Sequence, residues 1–502
     1  MKKPVAIFLA LCMMLSASAC SQSGGDESGS SNNNSSSGSG STTEEREPVE
    51  ITWWIRGTFP QNDQEKVFEA VNASLKEKLN TTINFQAVSS SEYADKFSVV
   101  LSSGEAYDIC WAGGWPNVYL QGVSNGAYMA LNDLLTEYAP KTYEAIPEEY
   151  WNAVSVNDNI YGVINYQIVA RTGRTAIPKE LYDEAPFDVD SVQGNLRALE
   201  PYLEVVSKNH PDYIIGLDTQ NAGEYFGFEY LAGYNIPGAI DMNSDELKVF
   251  NQFESESYQE FYKMLKDWND KGYMNGANQI AIADQNEYVK AAKTLIYTGG
   301  TMKPGGDIES NKSKGYECVY VPLSDAYVTT SNITATLSCI GVNSKNPERA
   351  MEVLEVINTD PEVYNTLIYG IEGEHYNKID DTTIEFTEAS ANYNPGISWV
   401  VGNTFNGYIT EEYSPTVWDE TIELNNSATK SPALGFTFDT VPVKQEIAKC
   451  TNVYDEYVDL LSNGLATEDD YNTFISKLKA SGSEKIIAEM QNQLDEWKAN
   501  NK

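Results

Sequence analysis

The chain has 502 residues, with 34 Lys or Arg and 73 Asp or Glu, so its formal net charge is −39. At roughly 150 residues per domain, this length predicts two to four domains and excludes a single small module. The acidic excess excludes nucleic acid and anionic membrane surfaces as partners, because affinity for a polyanion requires clustered Lys and Arg. The hydrophobic fraction of 41% and the aromatic fraction of 11% are too large for a disordered chain, so we expect a globular body.

A secretory signal peptide is predicted over residues 1–19. Two lysines precede an apolar run at 5–15, and small residues at 17–19 come directly before Cys20. The apolar run is shorter than the roughly 20 residues of a membrane-spanning helix. The segment that ends at Cys20 resembles a bacterial lipobox, with Ala17 where that motif usually has Leu, and the resemblance implies that Cys20 is acylated. The alternative is an ordinary signal peptide followed by an incidental cysteine.

Residues 20–48 are predicted to be the lipidated cysteine and a tether that forms no domain. Between Ser21 and Thr43, 18 of 23 residues are Ser, Gly or Asn, a composition typical of a flexible coil. About 28 residues of such a coil have a root-mean-square reach of roughly 30 Å. We therefore expect the body to be held by lipid at the extracellular face of the cell membrane, and we expect it to be a monomer.

The remaining cysteines are Cys110, Cys318, Cys339 and Cys450. Four thiols in a chain of this length do not make a disulfide framework. No two of them have CxxC spacing, so no zinc site is predicted. Buried free thiols are expected, and a single bridge, for example from Cys318 to Cys339, is left open.

From Val49 onward, strand and helix patterns alternate in the order βαβαβ. The predicted elements are strands at 50–55, 84–88 and 107–111, a helix with apolar positions at 67, 68, 71, 75 and 79, and a helix at 93–102. This alternation predicts a mainly parallel sheet covered by helices, with ligands beyond the carboxyl ends of the strands. The loops at those ends are 56–60 and 112–117.

A second α/β lobe is predicted further along the chain. A strand at 159–165 could cross into it, and strands near 213–217, 294–297 and 317–321 would form its sheet. Another strand is predicted at 332–342, followed by a helix from Pro347. The C-terminal third is predicted to be mostly helical, and its last helix has an apolar face formed by Ile486, Ile487, Met490, Leu494 and Trp497.

Several segments, in the same order, carry a resemblance to one family. They lie at 50–57, 104–112, 340–350, 369–376, 399–403, 431–436 and 491–497. The chain resembles the extracellular solute-binding lipoproteins of ABC importers, of the maltose-binding-protein-like kind. The last four segments resemble a Gram-positive subfamily with an uncharacterised C-terminal domain.

The resemblance implies a two-lobed α/β fold of the periplasmic-binding-protein type II, with interleaved lobes joined by a hinge and a helical C-terminal region. Lobe 1 is expected at 49–163 and 333–385, and lobe 2 at 164–332 and 386–502. A solute would bind between the lobes, which would close around it.

The expected solute contacts lie on both lobes. Trp111 and Trp115 flank two glycines after a strand end, where aromatic faces can stack on a sugar. By resemblance or by position after a strand, the other candidates are Arg56, Thr58, Tyr225, Phe226, Trp399 and Asn403. No cofactor or metal is expected.

We expect a receptor that captures a mono- or oligosaccharide and delivers it to ABC permease subunits, without catalysis. The alternatives are a receptor for a peptide or another polar solute, and a surface glycan hydrolase. Gly122 to Gly126 fits GxSxG, but no strong strand precedes it, so a nucleophile elbow is not expected. Asp241 to Asp245 begins like a calcium loop but lacks the required Gly and closing acid, so a solvated turn is favoured over a weak calcium site.

Overall fold

The computed structural model describes residues 46–114, 118–244, 246–274 and 285–500. The predicted signal peptide, Cys20, the tether up to residue 45 and Trp115 lie outside the described residues. Within them, no helix is both long and apolar enough to cross a membrane.

The strands are β1 (Val49–Gly57), β2 (Thr81–Ser89), β3 (Ile109–Ala112), β4 (Ser155–Val156), β5 (Asn159–Ile160), β6 (Val163–Ile164), β7 (Gly173–Pro178), β8 (Ile214–Gly216), β9 (Phe228–Tyr230), β10 (Ala239–Asp241), β11 (Thr294–Thr301), β12 (Cys318–Pro322), β13 (Tyr327–Val328), β14 (Leu337–Ile340), β15 (Tyr376–Lys378), β16 (Thr383–Phe386), β17 (Ile409–Thr410) and β18 (Thr429–Lys430).

The helices are α1 (Gln64–Leu79), α2 (Tyr93–Ser103), α3 (Val118–Ser124), α4 (Asn132–Tyr138), α5 (Pro140–Ala145), α6 (Glu148–Val154), α7 (Lys179–Glu184), α8 (Glu200–Asn209), α9 (Ala222–Tyr225), α10 (Glu256–Asp270), α11 (Gln285–Lys290), α12 (Gly306–Lys314), α13 (Thr330–Ile333), α14 (Pro347–Thr359), α15 (Pro361–Tyr369), α16 (Val417–Ser427), α17 (Lys444–Ser462), α18 (Glu468–Ser481) and α19 (Ser483–Asn500).

The first sheet has the strand order β2-β1-β3-β14-β6. β1 runs parallel to β2 and β3, and β14 is antiparallel to β3. The predicted βαβαβ unit is confirmed, and α1 buries all five of its predicted apolar positions. Phe68 of α1 stacks on Phe85 of β2 with the ring centroids 4.2 Å apart. Parallel pairing places the carboxyl ends of β1 and β3 at the same edge, where a ligand is expected.

The second sheet has the strand order β12-β7-β11-β8. Its residues alternate between two faces. Ile177, Ile296 and Val321 belong to a buried cluster that we call the second core, which also includes residues of α8, α10 and the C-terminal helices α17 to α19. A separate cluster around the first sheet is the first core. The two sheets with their own cores are the lobes that the resemblance implies.

Two segments connect the sheets and pair with each other. Residues 165–172 run from β6 to β7, and the chain returns through β13 towards β14. Arg171 and Tyr327 exchange backbone hydrogen bonds of 2.8 and 2.9 Å where the two segments pass. This pairing is the crossing between the lobes.

Two buried asparagines hold the outgoing segment. The Asn165 amide donates to Val400 O at 2.6 Å, and its Oδ1 accepts from Ser338 Oγ at 3.0 Å. Asn425 of α16 accepts from the N–H groups of Val169 and Ala170, at 2.9 and 3.0 Å. Both asparagines are at most 1% exposed. Each therefore replaces water as the partner of buried backbone groups.

Two expectations about the fold need correction, and one is met. The strand predicted at 332–342 is β14 alone. A capping box between Thr329 and Asn332 instead starts helix α13, which covers the first two residues of the predicted strand. The expectation of free thiols is met: Cys318 lies in the second sheet, and Cys339 lies opposite Cys110 in the first. No bridge joins Cys318 to Cys339, since they belong to different sheets.

The second correction concerns the lobe boundary predicted at residue 386. Ile397, Val401 and Ala428 are buried in the first core, whereas Ala433 is buried in the second. The chain therefore joins the second core near residue 430. Residues 393–401 have no strand or helix periodicity, so the sequence offers no sign of their place in the first core. The other predicted lobe boundaries stay predictions.

We expect Asn425→Ala to destabilise the protein by about 2–4 kcal/mol, because two backbone N–H groups and the Gln167 carbonyl that Asn425 serves lose their buried partner. Urea unfolding followed by circular dichroism measures the change. Asn426→Ala is the matched control, since Asn426 is the next residue of the same helix and is exposed. Equal stabilities of the two variants would contradict the role assigned to Asn425.

A buried carboxyl in β9 makes stability depend on pH. Burial raises the pKa of Glu229 to about 7, against the lowering effect of the hydrogen bond that Ser431 Oγ donates to it. Between its ordinary value and pH 7, the folded state therefore binds more protons at this site than the unfolded state. The protonated Glu229 side chain contributes its full stabilisation of the fold at acidic pH. This contribution is lost as the pH rises to about 7.

Glu229→Gln removes this titration while keeping an acceptor for Ser431. We expect the variant to gain about 2–3 kcal/mol relative to wild type between pH 5 and pH 8. Unfolding free energies measured across this range test the expectation, with Glu385→Gln on the exposed side of β16 as the control. A constant difference between wild type and Glu229→Gln over the range would overturn it.

Candidate functional site

The carboxyl end of β1 places an arginine against two tryptophans. Arg56 is 8% exposed, and its guanidinium carbon lies 4.6 Å from the ring centroid of Trp111 and 5.8 Å from that of Trp399. Its Nε donates to Ser90 Oγ at 3.4 Å. Burial lowers the pKa of Arg56. We call Arg56, Trp111 and Trp399 the first wall.

Gly57 allows this arrangement. A Cβ at Gly57 would lie 2.6 Å from Ile397 Cγ2 and 2.9 Å from Pro395 O, so a side chain there would separate the two loops. The Thr58 N–H donates to Pro395 O at 2.8 Å, and the Thr58 side chain is exposed next to the first wall. The loop after β1 thus docks on the segment that carries Trp399.

Trp111, a predicted sugar-stacking residue, lies in the first core. It is 2% exposed, its Nε1 donates to Thr336 Oγ1 at 2.8 Å, and Tyr93 packs edge-on against it. The Arg56 guanidinium lies over its ring in a cation–π contact. Trp111 therefore supports Arg56 from the core, and its contact with a solute stays a prediction.

The second sheet places charged groups beyond the carboxyl end of β8. The Asp218 carboxylate accepts from Asn221 Nδ2 at 2.7 Å, and the Asp218 N–H donates to Thr298 Oγ1. Nearby, Glu224 of α9 pairs with Arg171 of the crossing segment at 3.1 Å. Burial raises the pKa of Glu224, and the charge of Arg171 opposes this rise. We call Asp218, Glu224 and Arg171 the second wall.

The residues of the second wall were not predicted from the sequence. Asp218 follows a predicted strand at 213–217 directly, and this position after a strand end is a signal that could have identified it. Arg171 and Glu224 are 53 residues apart in the chain, and no pattern in the sequence indicates that they meet.

The three other described candidates are in contact with other residues of the protein. Tyr225 is 8% exposed and donates through its hydroxyl to Asp218 O at 3.1 Å. Phe226 packs against Tyr258 and other rings of the second core. Asn403 Oδ1 accepts from the Phe405 N–H at 3.1 Å. The structure does not bring these side chains to the first wall, although Tyr225 adjoins the second.

A cavity of about 410 Å³ lies beside the crossing segments. Thr172 and residues 302–304 form one side, and Glu420, Glu423 and Ser427 of α16 form the other. Lys303 is held by an ion pair with Glu309 at 2.8 Å. The lining combines hydroxyls, carboxylates and one ammonium group with the apolar side chains of Met302, Pro304 and Leu424.

One cluster of the described residues has donor atoms close enough for a metal ion: Asp63, Glu374 and His375. His375 Nδ1 accepts the Ile371 N–H at 3.0 Å, which leaves the ring proton on Nε2, 3.3 Å from Asp63 Oδ2. A metal-ligating histidine instead donates through its second nitrogen. Glu374 is paired with Lys66. The cluster therefore ties a loop to α1.

The turn that resembles the start of a calcium loop, at residues 241–245, forms hydrogen bonds with other protein groups. The Asn243 N–H donates to Asp241 Oδ1 at 2.9 Å, and Asn243 Oδ1 accepts from the Tyr327 hydroxyl at 3.2 Å. Asp245 lies outside the described residues.

The GxSxG match does not form a nucleophile elbow. Its Ser124 ends helix α3, so a helix precedes the serine where an elbow requires a strand.

Known proteins share this architecture over nearly the whole chain. The fold is that of the two-lobed, type II solute-binding proteins, as expected from the resemblance. The chain is 29% identical over 460 residues to a carbohydrate ABC transporter substrate-binding protein of Streptococcus pneumoniae, covering 89% of this chain and 90% of that protein. Residues 432–499 match the Domain of unknown function (DUF3502).

One relative of known structure is similar to this chain in both sequence and fold. The N-glycan transport solute binding protein NgtS of Streptococcus pneumoniae is 27% identical and matches with a TM-score of 0.79, covering 91% of this chain and 100% of that chain. Its complex with Man1GlcNAc matches with a TM-score of 0.70 at 25% identity, covering 89% and 99%. The resemblance to solute-binding proteins of ABC transporters is confirmed, and these relatives are transport proteins.

Proposed function

We propose that the protein is the lipid-anchored extracellular receptor of a carbohydrate ABC importer, which captures an oligosaccharide between its lobes and delivers it to permease subunits. The observation that carries the proposal is the match to NgtS along 91% of the chain, with a TM-score of 0.79. The receptor acts by binding and release, without catalysis.

The proposed solute is an oligosaccharide that contains mannose and N-acetylglucosamine. Support comes from the NgtS complex with Man1GlcNAc, a relative at 25% identity. The chemistry of the walls fits, because carboxylates and guanidinium groups bind neighbouring hydroxyls and a tryptophan face stacks on a sugar ring. The proposed contacts on the first lobe are Arg56, Thr58, Trp399 and Trp115, the last of which lies outside the described residues. Tyr225, Phe226 and Asn403 stay predicted contacts.

We propose that the described conformation is the open one. The TM-score falls from 0.79 for the NgtS structure without a named ligand to 0.70 for its sugar complex. Both structures are of the same protein, so the lower score supports a difference in conformation between them. A hinge at the crossing of Arg171 and Tyr327 would bring the two walls together on the solute.

We expect Trp399→Ala to weaken Man1GlcNAc binding at least about tenfold, since a stacked aromatic ring contributes roughly 1.5 kcal/mol or more. Isothermal titration calorimetry on the mature protein measures the dissociation constant. Phe386→Ala, which removes an exposed ring of β16 away from the wall, is the control. If Trp399→Ala binds Man1GlcNAc with the same dissociation constant as wild type, Trp399 is not part of the site.

The ligand class has its own test. A thermal-shift screen with N-glycan fragments, other sugars and peptides should raise the melting temperature only with the ligand that binds the folded state. Peptides raising it while sugars fail would favour the peptide-receptor alternative. Cleavage of a glycan by the same sample, detected by mass spectrometry, would favour the hydrolase.

We expect Cys20→Ala to release the protein from the membrane fraction into the medium, because acylation of the Cys20 thiol is the proposed anchor. Cell fractionation and labelling with radioactive palmitate measure the change. Ser21→Ala, the neighbouring substitution, should remain membrane-bound and labelled. Equal release of both variants, or equal labelling, contradicts the anchor.

A further inference from the structure

Among the described residues, one pair of cations on the second lobe forms no ion pair with a carboxylate. Arg174 of β7 is 9% exposed, and Lys314 at the end of α12 is half-buried. Two acidic side chains near them pair with other lysines, Glu309 with Lys303 and Glu412 with Lys312. Glu309 and Asp307 of α12 act on Arg174 only through their charge, without an ion pair. No ion pair of the described residues includes Arg174 or Lys314. In a chain with 73 acidic residues, this absence is unexpected.

The two cations converge on the same groups. Ser310 Oγ accepts from Lys314 Nζ at 2.6 Å and from Arg174 Nη2 at 3.0 Å. The ring of Tyr320 lies 4.5 Å from the Arg174 guanidinium and 5.4 Å from the Lys314 ammonium. Tyr320 and Arg174 share a face because they lie on neighbouring strands in register, with Ala176 opposite Tyr320. The cluster is therefore built by β7, β12 and α12.

Hydrogen-bond capacity remains on Arg174. Its Nε donates to Gly299 O at 3.3 Å, and one Nη2 hydrogen goes to Ser310. A guanidinium has five N–H donors, so the edge formed by Nη1 and Nη2 has donors to spare. Within the described residues, Nη1 of Arg174 makes no hydrogen bond, and 9% of the Arg174 surface stays exposed.

The electrostatics of the cluster favour an anion. Burial lowers the pKa of Lys314, and the neighbouring charge of Arg174 lowers it further. Burial also lowers the pKa of Arg174. Two like charges close together in a partly dry site repel each other, and a bound anion would offset both the repulsion and the lost hydration. A Cβ at Gly315, next to Lys314, would have no atom within 4 Å, so space is open on this side.

We propose that Arg174, Lys314, Ser310 and Tyr320 form a binding site for a tetrahedral oxyanion, either phosphate or sulfate. The planar edge of Arg174 takes two oxygens, and the Lys314 ammonium takes a third. Arg174 also donates to Gly299 O, so the anion would stiffen the end of β11 that leads to the cavity. The site is separate from the proposed sugar contacts and does not depend on which sugar binds.

The test measures the melting temperature and the phosphate dissociation constant of the mature protein at pH 7. Sodium phosphate and sodium sulfate are compared with sodium chloride at matched ionic strength. These salts also stabilise proteins through exclusion from the surface. Two variants separate this general effect from binding at the site. Lys314→Met removes the ammonium group of the site, and the control Lys312→Met removes an exposed lysine of the same helix.

We expect phosphate and sulfate to raise the melting temperature of wild type and Lys312→Met alike, and that of Lys314→Met by less. In calorimetry, phosphate should bind Lys314→Met at least about tenfold more weakly, the factor that one charge-assisted hydrogen bond supplies. Equal shifts in all three proteins would mean that surface exclusion explains the effect, and the site would be rejected.

Two further measurements sharpen the result. Arg174→Lys keeps the charge but loses the planar edge, so it should bind phosphate more weakly than wild type with an unchanged circular dichroism spectrum. Glucuronate tests whether the anion is the carboxylate of an acidic sugar. Binding of glucuronate that depends on Lys314, without binding of phosphate, would overturn the assignment to a tetrahedral oxyanion.

Discussion

The structure depends on satisfying the backbone of the segments that cross between the two sheets. These segments leave one hydrophobic core and enter another, where water does not reach their N–H and C=O groups. Asn425 supplies the missing partners of Val169, Ala170 and Gln167 on the outgoing segment. Asn165 anchors the start of that segment to Val400 O and Ser338 Oγ, and Arg171 and Tyr327 pair with each other. An apolar residue in place of either asparagine would leave buried groups unsatisfied, at a cost that burial of its side chain does not offset. The outgoing segment is thus held in place before the pairing at Arg171.

The sequence predicts the elements well where their period is unbroken. The apolar positions of α1 from Val67 to Leu79 and the face of α10 around Trp268 are buried as their spacing indicates. Prediction fails where a local cap or a distant contact decides the outcome. Thr329 and Asn332 turn the start of a predicted strand into a helix. Residues 393–401 join the first core through contacts with distant parts of the chain, which no local pattern reveals.

The candidate site could be predicted in part, for a physical reason. Position after a parallel strand identifies Arg56, because the carboxyl edge of the sheet is fixed by the βαβ pattern. Trp111 was predicted from its position after a strand in the same way. No sequence pattern indicates that the Arg56 guanidinium lies over the Trp111 ring. The second wall depends on Arg171, which lies in the crossing segment, and on Glu224, which lies on the second lobe. Such a contact is set by the packing of the crossing segment against the second lobe, so it requires the structure.

The position of Arg171 relates solute binding to the hinge. Its backbone pairs with Tyr327 at the crossing, and its side chain pairs with Glu224 of the second wall. A solute shifts the balance between open and closed lobes only by the difference in its affinity for the two states. A sugar that touched the first wall alone would have no such difference and would leave the lobes open. Under the proposed function, contacts with the second wall are therefore the ones that drive closure, and they reach the hinge through the side chain of Arg171.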